Sequence, residues 1–254
     1  MRVLLDETAS DVASSALGGS ADLARLAAAY APPAGAPSWV RGVMVTTLDG
    51  SAQGGDGRSG TINTGADHVV FELLRALADV VLVGAGTVRA EGYGPLRVDP
   101  RYAAVRAGAG RAAALPLVIV SDSGQLPERV LEQDDAAPVI AAVPTGCARI
   151  AFLQSRLGAD GVLALGEGGV DLPAVLGALH DRGLRRVDCE GGPSLLGELL
   201  ALDLVDELAL TLSPVVVGGE HRRIVAGAAI DRSFTPAVLV EQDGTVLGRW
   251  LRAR

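Results

Sequence analysis

The chain has 254 residues, with 30 acidic and 22 basic side chains, a net charge of −8, and arginine as its only basic residue besides three histidines. Without lysine, Schiff-base catalysis and a lysine-bearing P-loop are excluded. The acidic balance and an aromatic content of 3% exclude a phosphate-tracking or base-stacking nucleic-acid binder, while a hydrophobic fraction of 49% supports a sizeable aliphatic core.

Residues 1–30 read as an appendage, helical from Ala21 to Tyr30, and Ala31 to Pro37 as a proline-glycine linker, so a main unit is expected over 38–254. Val40 to Thr46 has the pattern of a strand. It ends in Thr47-Leu-Asp-Gly50, where Asp49 enters a loop dense in glycine. Ala66 to Ala78 sets Val69, Val70, Leu73, Leu74 and Leu77 on one helical face, with Arg75 among them. That arginine reads equally as a snorkelling surface residue.

Val80 to Val83 is a short buried strand, and Gly84-Ala-Gly86-Thr87 follows it. Arg89 stands where the dinucleotide fingerprint requires a third glycine, so that motif is incomplete. Thr87, Glu91, Tyr93 and Arg97 come next, at the strand end where open α/β sheets place ligands. Ala103 to Ala114 has no periodicity and reads as a mobile surface loop.

Leu117 to Val120, Val139 to Val143, Val162 to Leu165 and Arg186 to Cys189 alternate as strands with helices near 148–157, 171–182 and 194–202. The pattern is α/β with a largely parallel sheet. Glu190-Gly-Gly-Pro-Ser-Leu-Leu-Gly197 follows a strand and opens a helix; Ser194 is positioned to cap it, and the helix start suits a phosphate. A plain tight turn explains the glycines equally well. Glu207 to Leu212, Val238 to Glu241 and Val246 to Leu251 are strand-like without a long helix between them, and Gln242-Asp-Gly244 signals a hairpin. The sheet is therefore expected to become mixed at its C-terminal edge.

Cys147 and Cys189 read as free buried thiols, and His68, His180 and His221 show no zinc spacing, so no metal is expected. No signal-peptide pattern and no apolar run near the ~18 residues of a membrane span is present, which leads us to expect a cytoplasmic protein without membrane contact.

Five separated segments together carry a resemblance: T-L-D-G at 47–50, L-L-R-A at 74–77, G-x-G-T-V-R-A-E-G-Y-G-P-L-R at 84–97, E-G-G-P-S-L at 190–195, and L-x-x-x-P-x-x-x-G-G ending at Gly219. In this order they resemble the reductase domain of the riboflavin-pathway deaminase–reductases, in particular the stand-alone actinobacterial type. The resemblance implies a dihydrofolate-reductase-like three-layer α/β fold, with a mostly parallel central sheet and an antiparallel C-terminal hairpin. It implies NADPH-dependent reduction of 5-amino-6-(5-phosphoribosylamino)uracil to its ribitylamino product, by a homodimer.

Residue by residue, it implies a phosphorylated pyrimidine bound by Ser59, Arg75, Leu96, Arg97 and Glu190. It implies a cofactor held by Val45, Thr61, Gly84, Gly86, Thr87, Glu91, Ser121 or Ser123, and the loop Gly191, Gly192, Pro193, Ser194, Leu195, Leu196, Gly197 and Glu198. Asp49 and Glu190 are the expected catalytic pocket residues. Ser51 stands where the family usually has Lys or Arg, removing a cation, and the zinc-deaminase signature H-x-E with P-C-x-x-C is absent from this sequence. The alternatives are a dihydrofolate or other pteridine reductase, and a non-catalytic NADP-binding protein.

Overall fold

A computed structural model describes residues 1–6, 20–132 and 134–253. Its ten strands are β1 (Arg2–Asp6), β2 (Trp39–Thr47), β3 (Val80–Gly84), β4 (Leu117–Val120), β5 (Val139–Val143), β6 (Val162–Ala164), β7 (Arg186–Cys189), β8 (Glu207–Ser213), β9 (Phe234–Gln242) and β10 (Thr245–Arg252). They form one sheet in the order β1-β9-β10-β8-β2-β7-β3-β4-β5-β6. From β8 to β6 every neighbouring pair is parallel. The remaining pairs are antiparallel. The expected mixed α/β architecture is thus present.

Period-two alternation explains the two core layers of the parallel half. In β3, Val80 and Leu82 face one cluster and Val81 and Val83 the other, and all four are fully buried. The first layer is closed by α6 (Leu172–Asp181) and α7 (Pro193–Ala201), the second by α3 (Ala85–Glu91) and α5 (Ile150–Leu157). Each buried Val or Leu adds about 1.5–3 kcal/mol of burial free energy, so four residues suffice for a central strand. Helices α1 (Ser20–Tyr30) and α2 (Gly65–Leu77) make a third cluster with the antiparallel strands, through Tyr30, Val70, Leu73 and Leu74.

The hairpin signal is realised at Asp243 and Gly244, whose φ values of 51° and 81° are those of a primed turn, the kind that matches strand twist. Two readings need correction. Residues 2–6, read as part of an appendage, form an edge strand paired with β9. Residues 103–108, read as loop, form α4 (Ala103–Gly108). No apolar periodicity marks α4 because its anchor is polar: buried Arg106 donates to the carbonyls of Arg75 and Ala78 at the end of α2, and to those of Ala112 and Ala114. The guanidinium satisfies helix-terminal carbonyls that a hydrophobic contact could not.

Beneath β2, β8 and β10 lies a buried charged cluster. Arg41 Nε donates to Glu207 Oε1 at 2.6 Å, Trp39 Nε1 donates to Glu207 Oε2 at 2.8 Å, and Arg249 Nε lies 3.0 Å from the same oxygen. Arg41 also faces Asp188 on β7 at 3.4 Å. The same two arginines donate to Tyr30 O and Ala29 O, satisfying the last carbonyls of α1.

Among the described residues no helix is long and apolar enough to cross a membrane. Cys147 and Cys189 are buried and unpaired, as expected, and burial pushes the Cys189 thiol up to about 12, which keeps it an inert thiol.

Candidate functional site

Parallel strands end together at one edge of the sheet, and a cleft of about 530 Å³ opens there, above the C-terminal ends of β2, β3 and β7. Strand β2 supplies Val43, Met44 and Val45 to its floor; α2 supplies Asp67, Phe71 and Arg75; α3 and the turn after it supply Gly86, Thr87, Glu91 and Tyr93.

Helix α2 begins where Thr64, in extended conformation, accepts a hydrogen bond from Asp67 N at 3.2 Å, an N-cap that fixes the helix start beside the cleft. Two turns later Arg75 reaches across to β7. Its Nε and one terminal nitrogen donate to the two Glu190 carboxylate oxygens at 2.7 and 2.9 Å. Tyr93 OH donates to Glu190 at 2.6 Å, and Arg75 stacks over Phe71 at 4.2 Å. Arg75 therefore lines the cleft and is no snorkelling surface arginine. Burial alone would lower its pKa, but the Glu190 charge overrides burial and raises it. Burial and Glu190 together push Tyr93 well above the ordinary phenol value, so its hydroxyl keeps its proton.

The glycine turn after β7 is shaped by close approach. Gly191 adopts φ +80°, its carbonyl accepts from Gly84 N at 2.8 Å, and the Gly191–Gly192 peptide is cis. A Cβ at Gly192 would lie 2.6 Å from Thr87 Oγ1, and one at Gly191 would lie 3.1 Å from Met44 Sδ. Only glycine fits both places. Gly192 is also the N-cap of α7 and makes no side-chain cap bond. Ser194, expected to cap the helix, lies instead inside its first turn and is exposed, because Pro193 occupies the first helical position. Gly192 and Pro193 place the N-terminus of α7 at the cleft edge, a helix end that suits anions.

The structure brings Val45, Ser59, Arg75, Gly86, Thr87, Glu91, Leu96, Arg97, Glu190, Gly192 and Pro193 to the cleft wall. Ser59 N donates to Glu91 at 3.0 Å, which closes the 50s loop over α3. Arg97 pairs with Asp134 and its side chain is 67% exposed, at the rim. Other expected residues lie outside the wall. Leu195, Leu196 and Gly197 are buried on the core side of α7, whereas Glu198 is exposed. Thr61 donates to Asp56 at 2.9 Å, and Ser121 accepts from Gly124 N at 3.0 Å. Gly84 contributes its backbone bond to Gly191.

Asp49 is spent on structure. Thr47 Oγ1 and the amides of Val217 and Gly218 donate to its carboxylate, and these bonds hold it down to about 2. It pins the loop after β8 against that after β2.

Sequence reasoning missed Asp67, Phe71 and Arg222. Helical spacing from Arg75 could have found the first two, since 67, 71 and 75 fall four apart on one face. Arg222 lines the cleft, and its carbonyl accepts from Ala52 N at 2.7 Å, so a cation stands beside the segment where Ser51 lacks one. Ser51 itself is buried, its hydroxyl donating to Gln53 O at 2.6 Å.

The sequence matches the model of the RibD C-terminal domain over residues 38–245. The 2,5-diamino-6-ribosylamino-4(3H)-pyrimidinone 5′-phosphate reductase of Methanothermobacter thermautotrophicus is 33% identical over 188 residues, which span 73% of this chain and 82% of the relative. The protein of the same name from Archaeoglobus fulgidus is 30% identical over 185 residues, 69% of this chain and 80% of its own. Among solved structures, a pyrimidine reductase-like protein of Corynebacterium diphtheriae superposes with a TM-score of 0.73 at 26% identity, covering 85% of this chain and 92% of that one.

Proposed function

Because the chain belongs to the RibD C-terminal domain family, we propose that it reduces a 6-ribosylamino-pyrimidine 5′-phosphate to the ribitylamino product, with NADPH as hydride donor. The single observation that carries this reading is the cleft itself, where the Arg75–Glu190–Tyr93 cluster and the turn at Gly192 line one wall.

The residues present fit a reduced dinucleotide. The N-terminus of α7 suits its phosphates, Gly86 leaves room for backbone approach, and Thr87 and Glu91 offer hydroxyl and carboxylate partners. When bound, the dinucleotide supplies a hydride. In the substrate, the ribose ring opens by breaking the bond between C1′ and the ring oxygen; the nitrogen lone pair forms the C1′–N double bond, leaving a cationic iminium, and the ring oxygen takes up a proton from water. Hydride addition to C1′ then moves the C–N π electrons to nitrogen and gives the neutral amine with no further proton. Glu190, held on three sides, positions the substrate and stabilises the positive charge on that nitrogen. Arg222, Arg97 and the Ser59 turn anchor the phosphate end.

The test is oxidation of NADPH by the purified protein in the presence of the phosphorylated ribosylamino-pyrimidine. Turnover is expected with this substrate and not with dihydrofolate; turnover with dihydrofolate alone would sink the reading. Gly192→Ala is expected to raise the KM for NADPH about tenfold, because the new methyl collides with Thr87. We also read the protein as a cytoplasmic homodimer, with exposed Val215 and Val216 as interface residues. Light scattering that gives a monomer removes that part.

A further inference from the structure

One carboxylate in the cleft is not used by the chemistry above. Glu190 is matched by Arg75, and Glu91 accepts the Ser59 amide. Asp67, only 7% exposed, has neither kind of partner: Thr211 on β8 hydrogen-bonds its side chain, and the nearby charge acting on it is that of exposed His68. Among the described residues no ion pair with arginine neutralises it. Burial raises its pKa against the opposing Thr211 bond, the condition of a carboxylate that gains from further N–H donors.

Its place is set by α2. Asp67, Phe71 and Arg75 follow at four-residue spacing and all three line the cleft, with Asp67 about 12 Å along the axis from the Arg75–Glu190 cluster. A ligand lying along this stripe meets the cluster at one end and an acceptor-only group at the other.

We propose that Asp67 reads the pyrimidine ring, its two oxygens accepting the N3–H and the C2-amino group of a 2-amino-4(3H)-pyrimidinone. The deaminated uracil presents N3–H beside a C2 carbonyl, which sets oxygen against oxygen at the same carboxylate. Asp67 is thus a specificity-determining residue, and the chain prefers the diamino ring to the uracil. This rests on the reading of the chain as a ribosylamino-pyrimidine reductase.

The experiment is kcat/KM for both rings, each as its ribosylamino 5′-phosphate, in the wild type and in Asp67→Asn, with NADPH affinity measured alongside. The wild type is expected to favour the diamino ring at least tenfold, since a polar site rejects a ligand that leaves its groups unmatched. An asparagine offers one acceptor and one donor, the complement of N3–H beside a carbonyl. Asp67→Asn is therefore expected to reverse the preference while NADPH affinity stays unchanged. Equal loss on both rings, or an unchanged ratio, overturns the assignment of Asp67 alone. A wild type that turns over neither ring overturns the reductase reading beneath it. If Asp67→Asn does not fold, Thr211→Val takes its place; it must lower the same ratio, and an unchanged ratio there overturns the proposal.

Discussion

Two glutamates in this protein have nearly the same surroundings and different work. Glu207 lies under the antiparallel strands, between Arg41, Arg249 and the Trp39 indole. Glu190 lies at the end of β7, between Arg75 and the Tyr93 hydroxyl. Each carboxylate has guanidinium on one side and an aromatic donor on the other. What differs is the remaining side. Glu207 is fully buried and every neighbour is protein, whereas Glu190 borders the cleft and the Gly191–Gly192 turn. A sealed cluster contributes to stability and fixes register; the same groups beside an opening hold charge ready for a ligand.

Removing one partner from the sealed cluster is the strongest way to break this contrast. Glu207→Ala leaves two buried guanidinium groups without their shared carboxylate, and urea unfolding is expected to show a loss of about 3–5 kcal/mol. Glu190→Gln tests the other side: kcat/KM is expected to fall about a hundredfold, near 2.7 kcal/mol of transition-state free energy. Its unfolding midpoint should move far less than that of Glu207→Ala, and an equal shift in both would erase the distinction.

The smallest effect concerns Asp188, which faces Arg41 from β7. Burial pushes it up to about 7 against the attraction of Arg41. The folded value lies above the unfolded value of about 3.9, so the fold favours the protonated form. The stability this group contributes is complete below about pH 4 and is lost as pH rises through 7. Thermal unfolding across that range should show a decline that Asp188→Asn flattens; an identical slope in both proteins removes the assignment.

Legibility in the sequence followed the kind of force at work. Strands β3, β4 and β5 are short apolar runs with nothing else to be, and helix α2 carries its own apolar stripe, so all four were readable. β1 was not, because five residues become a strand only by pairing with β9, far along the chain. Nor was α4, whose anchor is one buried arginine reaching the carbonyls of other segments. At the site, Arg75, Glu190 and the glycine turn stood out as motifs. Asp67 and Arg222 did not, since a carboxylate in a helix and an arginine in a loop gain meaning only from the cleft they face. Ser194 was misread because a proline one residue earlier had already started the helix.

The arginines under the sheet bear on where this unit ends. The family match starts at residue 38, but the carbonyls of Ala29 and Tyr30 are the acceptors for Arg249 and Arg41. A protein trimmed to begin at residue 38 would keep both guanidinium groups in its interior and lose the oxygens they are tied to. The boundary drawn by sequence similarity therefore cuts through a hydrogen-bonded knot, and the smallest unit that leaves the knot intact begins before α1.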